Sequence, residues 1–194
     1  MIRHALLACA CLAPMVAPTI AQAQLGATVG LKRVNGQETA LANADRHGVE
    51  LRVHFDGQLT TRVGWRAELA GVQMQYQRDI PGLDRRQVSE NGVEVPLLLT
   101  VAPSVDRSGR LTIVGGAAPS WRLNCGASGG FVACDQTPSA RVGVIVGLDF
   151  ATPMAGRREF VLDVRHSSGV VAGAGASVLT IGVGVRTRRP VSDR

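Results

Sequence analysis

Several features that define common protein classes are missing from this chain of 194 residues. Its 23 glycines are not placed at every third position, which excludes a collagen triple helix. No apolar run of about 20 residues follows the N-terminal segment, which excludes a helical membrane protein. The chain is not poor in Val, Leu and Ile, since 45% of its residues are hydrophobic, and this excludes a disordered protein. A globular domain is the class that is left.

Aromatic residues are also scarce, with four Phe, two Trp and one Tyr in the whole chain. A transmembrane β-barrel carries girdles of Tyr, Trp and Phe at both membrane interfaces. Seven aromatic residues are few for two girdles, and residues 190–194 end the chain without an aromatic terminal strand. On these grounds a small outer-membrane β-barrel is an alternative that ranks below a self-contained globular domain.

The N-terminus has the three regions of a secretory signal peptide. Arg3 provides the basic region, residues 5–20 are apolar, and Ala-Gln-Ala is a small-residue cleavage site that ends at Ala23. We therefore predict cleavage between Ala23 and Gln24 and export of the chain to the periplasm or cell surface of a bacterium with a Gram-negative type envelope.

The domain organisation follows from this cleavage site. Residues 1–23 are the predicted signal peptide, and residues 24–194 have the length of one domain. Within it, residues 24–34 are a strand-forming N-terminal arm and residues 187–194 a basic tail. Cleavage leaves two cysteines, Cys125 and Cys134, an even pair in an oxidising compartment, and we predict a disulfide between them.

Apolar and polar residues alternate with period 2 along most of the chain, for example over residues 49–56, 142–150 and 177–186. This pattern predicts half-buried β-strands. Residues 83–90 are the one segment that could form a short helix. Strands without long intervening helices predict an all-β fold, an antiparallel Ig-like β-sandwich of about nine or ten strands.

No residue pattern indicates catalysis. Ser128 lies in a literal G-x-S-x-G sequence, but no helix follows it and the segment lies inside the loop between the two cysteines. His47 and His54 are seven residues apart, on opposite faces of a strand, and no Cys or carboxylate stands at a metal-ligand spacing. We predict no catalytic residue, no metal, no cofactor and no enzymatic activity, although a hydrolase whose site the sequence does not reveal is a further alternative.

The N-terminal arm alternates apolar residues with small ones; the apolar positions are Leu25, Ala27, Val29 and Leu31. An exported β-domain with such an arm and one disulfide resembles the subunits of chaperone-usher pili. The resemblance implies partners of the same kind, joined by strand addition. The chain departs from those pilins because its cysteines lie late and close together and its C-terminal strand lacks aromatics. The alternative is that the arm is the first strand of a complete sandwich.

A candidate binding site combines a polar connection with an aromatic residue. Residues 78–91 form the longest polar connection, which contains Asp84, Arg85 and Arg86, and long loops often carry binding sites. Trp121 is either a recognition aromatic or a core residue. The formal net charge of +6 favours an anionic glycan or lipid as partner rather than nucleic acid, which is rare outside the cytoplasm.

These observations predict an exported, non-enzymatic structural or adhesion-type surface protein, with a fimbria-like subunit as its leading form. The alternatives are a soluble periplasmic binding module for a glycan or lipid, and the small outer-membrane β-barrel.

Overall fold

A computed structural model describes residues 24–35, 46–80, 83–105, 109–127, 140–169 and 177–187. These residues form nine β-strands: β1 (Gln24–Asn35), β2 (Arg46–Gln58), β3 (Val63–Ile80), β4 (Leu83–Glu94), β5 (Leu97–Val105), β6 (Arg110–Ala127), β7 (Ala140–Pro153), β8 (Arg158–Gly169) and β9 (Ser177–Thr187). In these ranges there is no helix long and apolar enough to cross a membrane.

The strands form one antiparallel sheet that closes on itself. Strand β1 pairs with β2 on one side and with β9 on the other, and β2 continues to β3. Strands β4 and β5 occupy successive parts of one place between β3 and β6. The nine strands therefore make a closed eight-stranded barrel. The interior of such a barrel is just wide enough for side chains to fill.

The division between β4 and β5 lies at Pro96, which is fully buried. Proline has no backbone N–H, so the regular ladder stops there. The neighbouring backbone groups still find partners, because the Val95 N–H donates to the Pro119 carbonyl (2.8 Å) and the Glu68 N–H donates to the Pro96 carbonyl (2.9 Å). The barrel wall is thus continuous across the interruption.

The predicted Ig-like sandwich is wrong, although the all-β prediction is confirmed. On β2, Val49, Leu51 and Val53 face outwards and are 40–61% exposed, whereas Arg52 and His54 are 2% exposed. Alternation with period 2 shows that a strand has two different faces, but it does not say which face lies inside the protein. The sandwich prediction assumed that the apolar face was the inner one.

The predicted N-terminal arm, whose apolar positions are Leu25, Ala27, Val29 and Leu31, lies in β1. Leu25 lies opposite Phe55 of β2, and Val29 lies opposite both Leu51 of β2 and Val183 of β9. Both sides of β1 are thus occupied by strands of the same chain, and the arm closes the barrel.

The segment predicted as a polar connection with a short helix is a β-hairpin, so the helix predicted over residues 83–90 is wrong. Pairing of β2 with β3 reaches Gln75, and pairing of β4 with β6 begins at Val88. Residues 76–80 of β3 and residues 83–87 of β4 pair with each other beyond those points. We call this extension of the hairpin the ribbon. Cross-strand pairing sets its conformation, and the polar sequence carries no local period that would reveal it.

The two ends of the barrel differ in their connections. At the end where β1 begins and β9 finishes, strands are joined by the four-residue segments 59–62, 106–109 and 154–157. We call this the short-turn end. At the opposite, long-loop end, the connections include residues 36–45, 128–139 and 170–176, and the ribbon extends from it.

If pairing of β1 on both sides closes the barrel, proline in β1 should prevent folding. We expect Val29→Pro to abolish the folded state, because proline removes a ladder hydrogen bond between two paired neighbours. Thr61→Pro, in an exposed short turn, is the matched control and should fold. Far-UV circular dichroism and protease resistance measure the outcome, and equal folding of both variants would show that β1 does not close the sheet.

Candidate functional site

The inner face of the barrel is charged. Inward positions alternate with the exposed apolar ones and carry residues that are at most 9% exposed: Lys32, Glu50, Arg52, Asp56, Arg66, Glu68, Asp149, Glu159, Asp163, Arg165 and Arg186. Charged groups are almost never buried unless they are paired. The partners of these groups therefore determine what the interior can do.

Arg66 on β3 is the centre of one group of ion pairs. Its Nε donates to Asp56 Oδ1 on β2, and its Nη2 donates to Asp56 Oδ2 at 3.2 Å. Its Nη1 donates to Asp149 Oδ2 on β7. Because β7 is not a neighbour of β3 in the sheet, this guanidinium connects strands across the interior rather than along the wall.

Arg52 and Arg165 form a second group towards the long-loop end. Arg52 Nη1 donates to Asp163 Oδ2 at 2.6 Å, and Arg165 Nη1 donates to Glu68 Oε2 at 2.6 Å. Arg165 Nη2 lies 3.4 Å from Asp163 Oδ2, and Arg52 Nε lies 3.5 Å from Glu68 Oε2. Two arginines thus share two carboxylates, which joins β2, β3 and β8.

Further ion pairs lie above and below these groups. Towards the long-loop end, Lys32 Nζ lies 3.0 Å from Glu50 Oε2 and 2.8 Å from Glu94 Oε1. Towards the short-turn end, Arg186 Nε donates to Glu159 Oε2 at 2.8 Å. The ion pairs therefore form successive layers along the barrel axis.

Glycines on the inner face make room for these long side chains. A Cβ atom at Gly182 would lie 2.5 Å from Asp163 Oδ1, and one at Gly147 would lie 2.8 Å from Arg165 Cγ. A Cβ at Gly26 would collide with the imidazole ring of His54. In each case the side chain packs directly against the backbone of the glycine opposite it on the neighbouring strand.

The interior also contains buried threonines, an apolar cluster and small cavities. Leu98, Val114, Ala118 and Ile145 form a buried cluster on β5, β6 and β7. A cavity of about 60 Å³ lies at the short-turn end, and one of about 90 Å³ lies towards the long-loop end. Each has room for a few water molecules at most. These parts of the lumen are filled by side chains.

The structure separates the residues of the predicted binding site. Trp121 is on β6, opposite Val93 of β4, and is 46% exposed on the outer face, so it is not a core residue. Asp84, Arg85 and Arg86 lie on the ribbon. Arg85 is eight residues along β4 from Val93, which is about 26 Å. The backbone positions of Trp121 and Arg85 are therefore well separated along the sheet, and the binding site stays a prediction.

Other predicted residues lie at or beyond the limits of the described ranges. Cys125 lies near the end of β6, but Cys134 is outside the described residues, so the disulfide stays a prediction. Gln24 is the first residue of β1 and Ala23 is outside the described residues, so signal-peptide cleavage also stays a prediction. Ser128 of the G-x-S-x-G sequence is outside them as well.

Sequence reasoning missed the charged interior because it assigned these charges to a solvated face. The signal that could have revealed it is the mixture of signs at alternate positions of one strand, as in Glu50, Arg52, His54 and Asp56. Strand length is a second signal, because the strands have 9 to 18 residues and a strand of a globular sheet usually has about five or six.

Aromatic residues are few but not scattered. Phe55, Trp65, Phe150 and Phe160 all lie within three residues of a strand end at the short-turn end, at outward positions. Four of the seven aromatic residues thus form a partial girdle at one end of the barrel. The sequence analysis counted the aromatic residues, but it could not predict where in the barrel they lie.

No known protein family matches the sequence, and no curated protein matches it. Solved structures match the fold. The outer membrane protein OprG from Pseudomonas aeruginosa is 11% identical, with 86% of this chain and 95% of that chain covered and a TM-score of 0.58. Neisserial surface protein A is 10% identical, with 86% and 97% covered and a TM-score of 0.50. The chain has the fold of small outer-membrane β-barrels.

A further match is the outer membrane enzyme PagL, which is 11% identical, with 85% of this chain and 99% of that chain covered and a TM-score of 0.47. The sequence analysis ranked a barrel below a sandwich, and this ranking of the two folds is wrong. A fold does not by itself decide whether a chain is catalytic.

The glycine packing predicts that adding one methyl group inside the barrel is destabilising. We expect Gly182→Ala to lower the free energy of unfolding by about 1–3 kcal/mol, because the new Cβ would press on Asp163. Gly71→Ala is the matched control on the outer face, where a Cβ would meet nothing within 4 Å. It should be neutral or slightly stabilising. Urea unfolding followed by tryptophan fluorescence compares the two, and equal effects would contradict the filled interior.

The ion-pair layers predict a larger effect when their central cation is removed. Arg66→Met should lower the free energy of unfolding by about 3–5 kcal/mol, because Asp56 and Asp149 would stay buried and lose the guanidinium to which both are hydrogen-bonded, keeping only the longer contacts with Arg186 and Arg165. Arg62→Met, four residues away at an exposed position of a short turn, is the control and should change little. A small loss for Arg66→Met in the same urea titration would mean that water reaches these carboxylates.

Proposed function

We propose that this chain is a small integral outer-membrane β-barrel that acts at the cell surface by binding, without catalysing a reaction. The observation that carries the proposal is the inverted distribution of polarity. Outward positions on the barrel strands carry exposed large apolar side chains, while the ion pairs lie inside. Water-soluble monomers rarely expose contiguous apolar patches larger than a few hundred Å². A surface of this kind is matched by the hydrocarbon of a bilayer.

The height of the apolar surface supports this assignment. On β7 the outward apolar residues run from Val142 to Phe150. Eight steps of about 3.3 Å cover about 26 Å along the strand. With a strand tilt of about 35–45°, this corresponds to a belt about 20 Å tall, close to the roughly 25 Å of outer-membrane barrels. Outward positions above the belt on β3 are polar, as at Gln73 and Gln75.

The connections support an orientation. Barrels of this class have short turns on the periplasmic side and longer loops outside the cell. The short-turn end would then face the periplasm, and the ribbon would project from the cell surface. Residues available to a partner outside the cell are therefore those of the long-loop end.

The filled interior favours binding over transport. The arginines of the lumen are engaged by carboxylates within it, and the apolar cluster of β5, β6 and β7 fills the space beside them. His54 Nε2 lies 3.8 Å from Asp56 Oδ2, which is too long for the hydrogen bond of a general base with its orienting carboxylate. In a surface-binding role without catalysis, the barrel anchors the chain and the long-loop end contacts the partner.

The other roles suggested by the sequence fit less well. A soluble periplasmic module would expose the whole apolar belt to water, at a cost proportional to its area. A fimbria-like subunit needs an arm to donate, whereas β1 pairs on both sides within its own chain.

A charge on the outer face provides a test, because its cost depends on depth in the bilayer. In lipid vesicles, Ile181→Arg at the middle of the belt should lower the free energy of unfolding by about 2–4 kcal/mol, whereas Gln75→Arg above the belt should cost about 0–1 kcal/mol. Both positions face outwards on exposed strand surface. Equilibrium denaturant unfolding in vesicles measures both values.

Fractionation of native cells provides the second arm of this test. The chain should be found in the outer-membrane fraction, where unboiled and boiled samples should differ in mobility on a gel because the barrel resists detergent until heated. A single band in the periplasmic extract, with unchanged mobility, would contradict a membrane barrel.

A further inference from the structure

The cavity of about 60 Å³ at the short-turn end is rich in arginine. Arg66 of β3, Arg110 of β6 and Arg186 of β9 line it, and Arg62 in an exposed turn lies at its rim. Because β3, β6 and β9 are not neighbours in the sheet, three guanidinium groups approach the cavity from different parts of the wall. The cavity opens to solvent at this end of the barrel.

Arg186 has a buried donor that the interior does not use. Its Nε donates to Glu159 Oε2 at 2.8 Å, and its Nη1 lies 3.5 Å from Asp56 Oδ2. Its Nη2 is also buried, and it has no hydrogen-bond partner among the described residues. The side chain is 1% exposed, and a buried charged donor without a partner is unfavourable. A ligand atom in the cavity would supply the missing acceptor.

Two guanidinium groups share one carboxylate beside the cavity. Arg110 Nη2 lies 3.6 Å from Glu159 Oε2, the same oxygen that accepts from Arg186. Arg110 Nη2 also donates to the neutral amide oxygen of Gln24 at 3.3 Å. The single negative charge of Glu159 is thus divided between two cations, and this part of the cavity suits an anion.

Asp56, a carboxylate that also lines the cavity, is held by Arg66. Arg66 Nε donates to one of its oxygens, and Arg66 Nη2 donates to the other at 3.2 Å. The remaining Arg66 nitrogen, Nη1, donates to Asp149. The charges of Arg66 and Asp56 therefore largely compensate each other, which leaves Arg110 and Arg186 as the cations that face a ligand.

We propose that this cavity binds one tetrahedral oxyanion, a phosphate group, at Arg110 and Arg186. Guanidinium groups suit phosphate oxygens because their N–H donors form a planar fork. Thr100 of β5 and Thr112 of β6 line the same cavity and add hydroxyl groups, which can donate hydrogen bonds. Donors on several sides match the oxygens of a tetrahedral anion better than those of a planar carboxylate.

The size and position of the cavity limit the ligand. It has room for a few atoms of the size of a water oxygen, which corresponds to a single phosphate group. It lies inside the end of the barrel, whereas lipid headgroups surround the outer face. The phosphate group therefore belongs to a soluble molecule, either as free phosphate or as the end of a phosphomonoester whose remainder extends into solvent. In the proposed orientation this end faces the periplasm.

The experiment uses the full chain, purified as a heat-modifiable barrel in a detergent without phosphate, and titrates it with inorganic phosphate in a calorimeter. Phosphate should bind at one site per chain, and acetate should bind at least about tenfold more weakly. Arg186→Gln should weaken phosphate binding roughly tenfold. Arg158→Gln is the matched control, because it removes the same charge at the same end from an exposed position outside the cavity, and it should leave the affinity unchanged.

Arg110→Gln is a second variant, which keeps the test valid if Arg186→Gln does not fold. The Arg110 side chain is 22% exposed, and Glu159 keeps its hydrogen bond with Arg186 when Arg110 is replaced. We expect it to weaken phosphate binding to a similar extent. Glycerol 3-phosphate distinguishes the two sources of the phosphate group: tighter binding than inorganic phosphate indicates a phosphomonoester, and weaker binding indicates free phosphate.

Equal weakening by Arg158→Gln and by the cavity variants would overturn the proposal, because binding would then follow net charge. Equal affinity for acetate and phosphate would overturn it as well. A chain that is heat-modifiable but does not bind phosphate contradicts this inference alone. A chain that shows no heat-modifiable form contradicts the proposed function.

Discussion

Pairing between the first and last strands is the constraint on which the rest of this structure depends. Once β1 lies between β2 and β9, the sheet has no free edge in its described part, and the inside and outside of the wall are fixed for every strand. Each alternate residue must then suit one of two surroundings. The outer positions are mostly apolar, and the inner positions must fill a space with no room for bulk water. The register of β1 with its two neighbours thus determines, for every strand, which residues face inwards and which face outwards.

The interior is filled by side chains that are long and also carry charges that pair with each other. Long arginine and glutamate side chains project from β2, β3 and β8, and glycines on neighbouring strands leave room for charged side chains, as Gly147 of β7 does opposite Arg165 of β8. Their charges are of both signs and are connected in layers, so that each guanidinium lies close to carboxylates from more than one strand. Buried ion pairs do not by themselves make a protein more stable than an apolar core would. Here they make the inner face of the wall chemically distinct from its apolar outer face.

Much of the local structure was predictable from the sequence, whereas the arrangement in space was not. Alternation at residues 142–150 and 177–186 predicted strands, and both segments are strands. Alternation is symmetric between the two faces, so it could not show that Arg52 is inside and Leu51 is outside. The relation of β1 to β9 could not be predicted either, because more than 150 residues separate Gly26 from its partner Arg186. The opposite charges on one face of β2 can be interpreted as partners of each other rather than as groups that contact water. This interpretation would have favoured the barrel.

The candidate binding residues show the same limit. The concentration of arginine in residues 78–91 was visible in the sequence, but only the register places Arg78 opposite Arg86 and moves Trp121 to a different surface. Composition therefore indicated which part of the chain carries charge, and strand pairing indicated which backbone positions lie opposite each other.

The position of Lys32 has a practical consequence for studying the folded barrel. It is the chain's only lysine, and it lies inside the barrel between Glu50 and Glu94 with 6% of its surface exposed. Reagents that modify primary amines would therefore find only the α-amino group of the folded chain. When the barrel opens, the Lys32 amine also becomes accessible. The extent of amine labelling therefore measures the fraction of molecules whose barrel has opened, in whole cells as well as in purified samples.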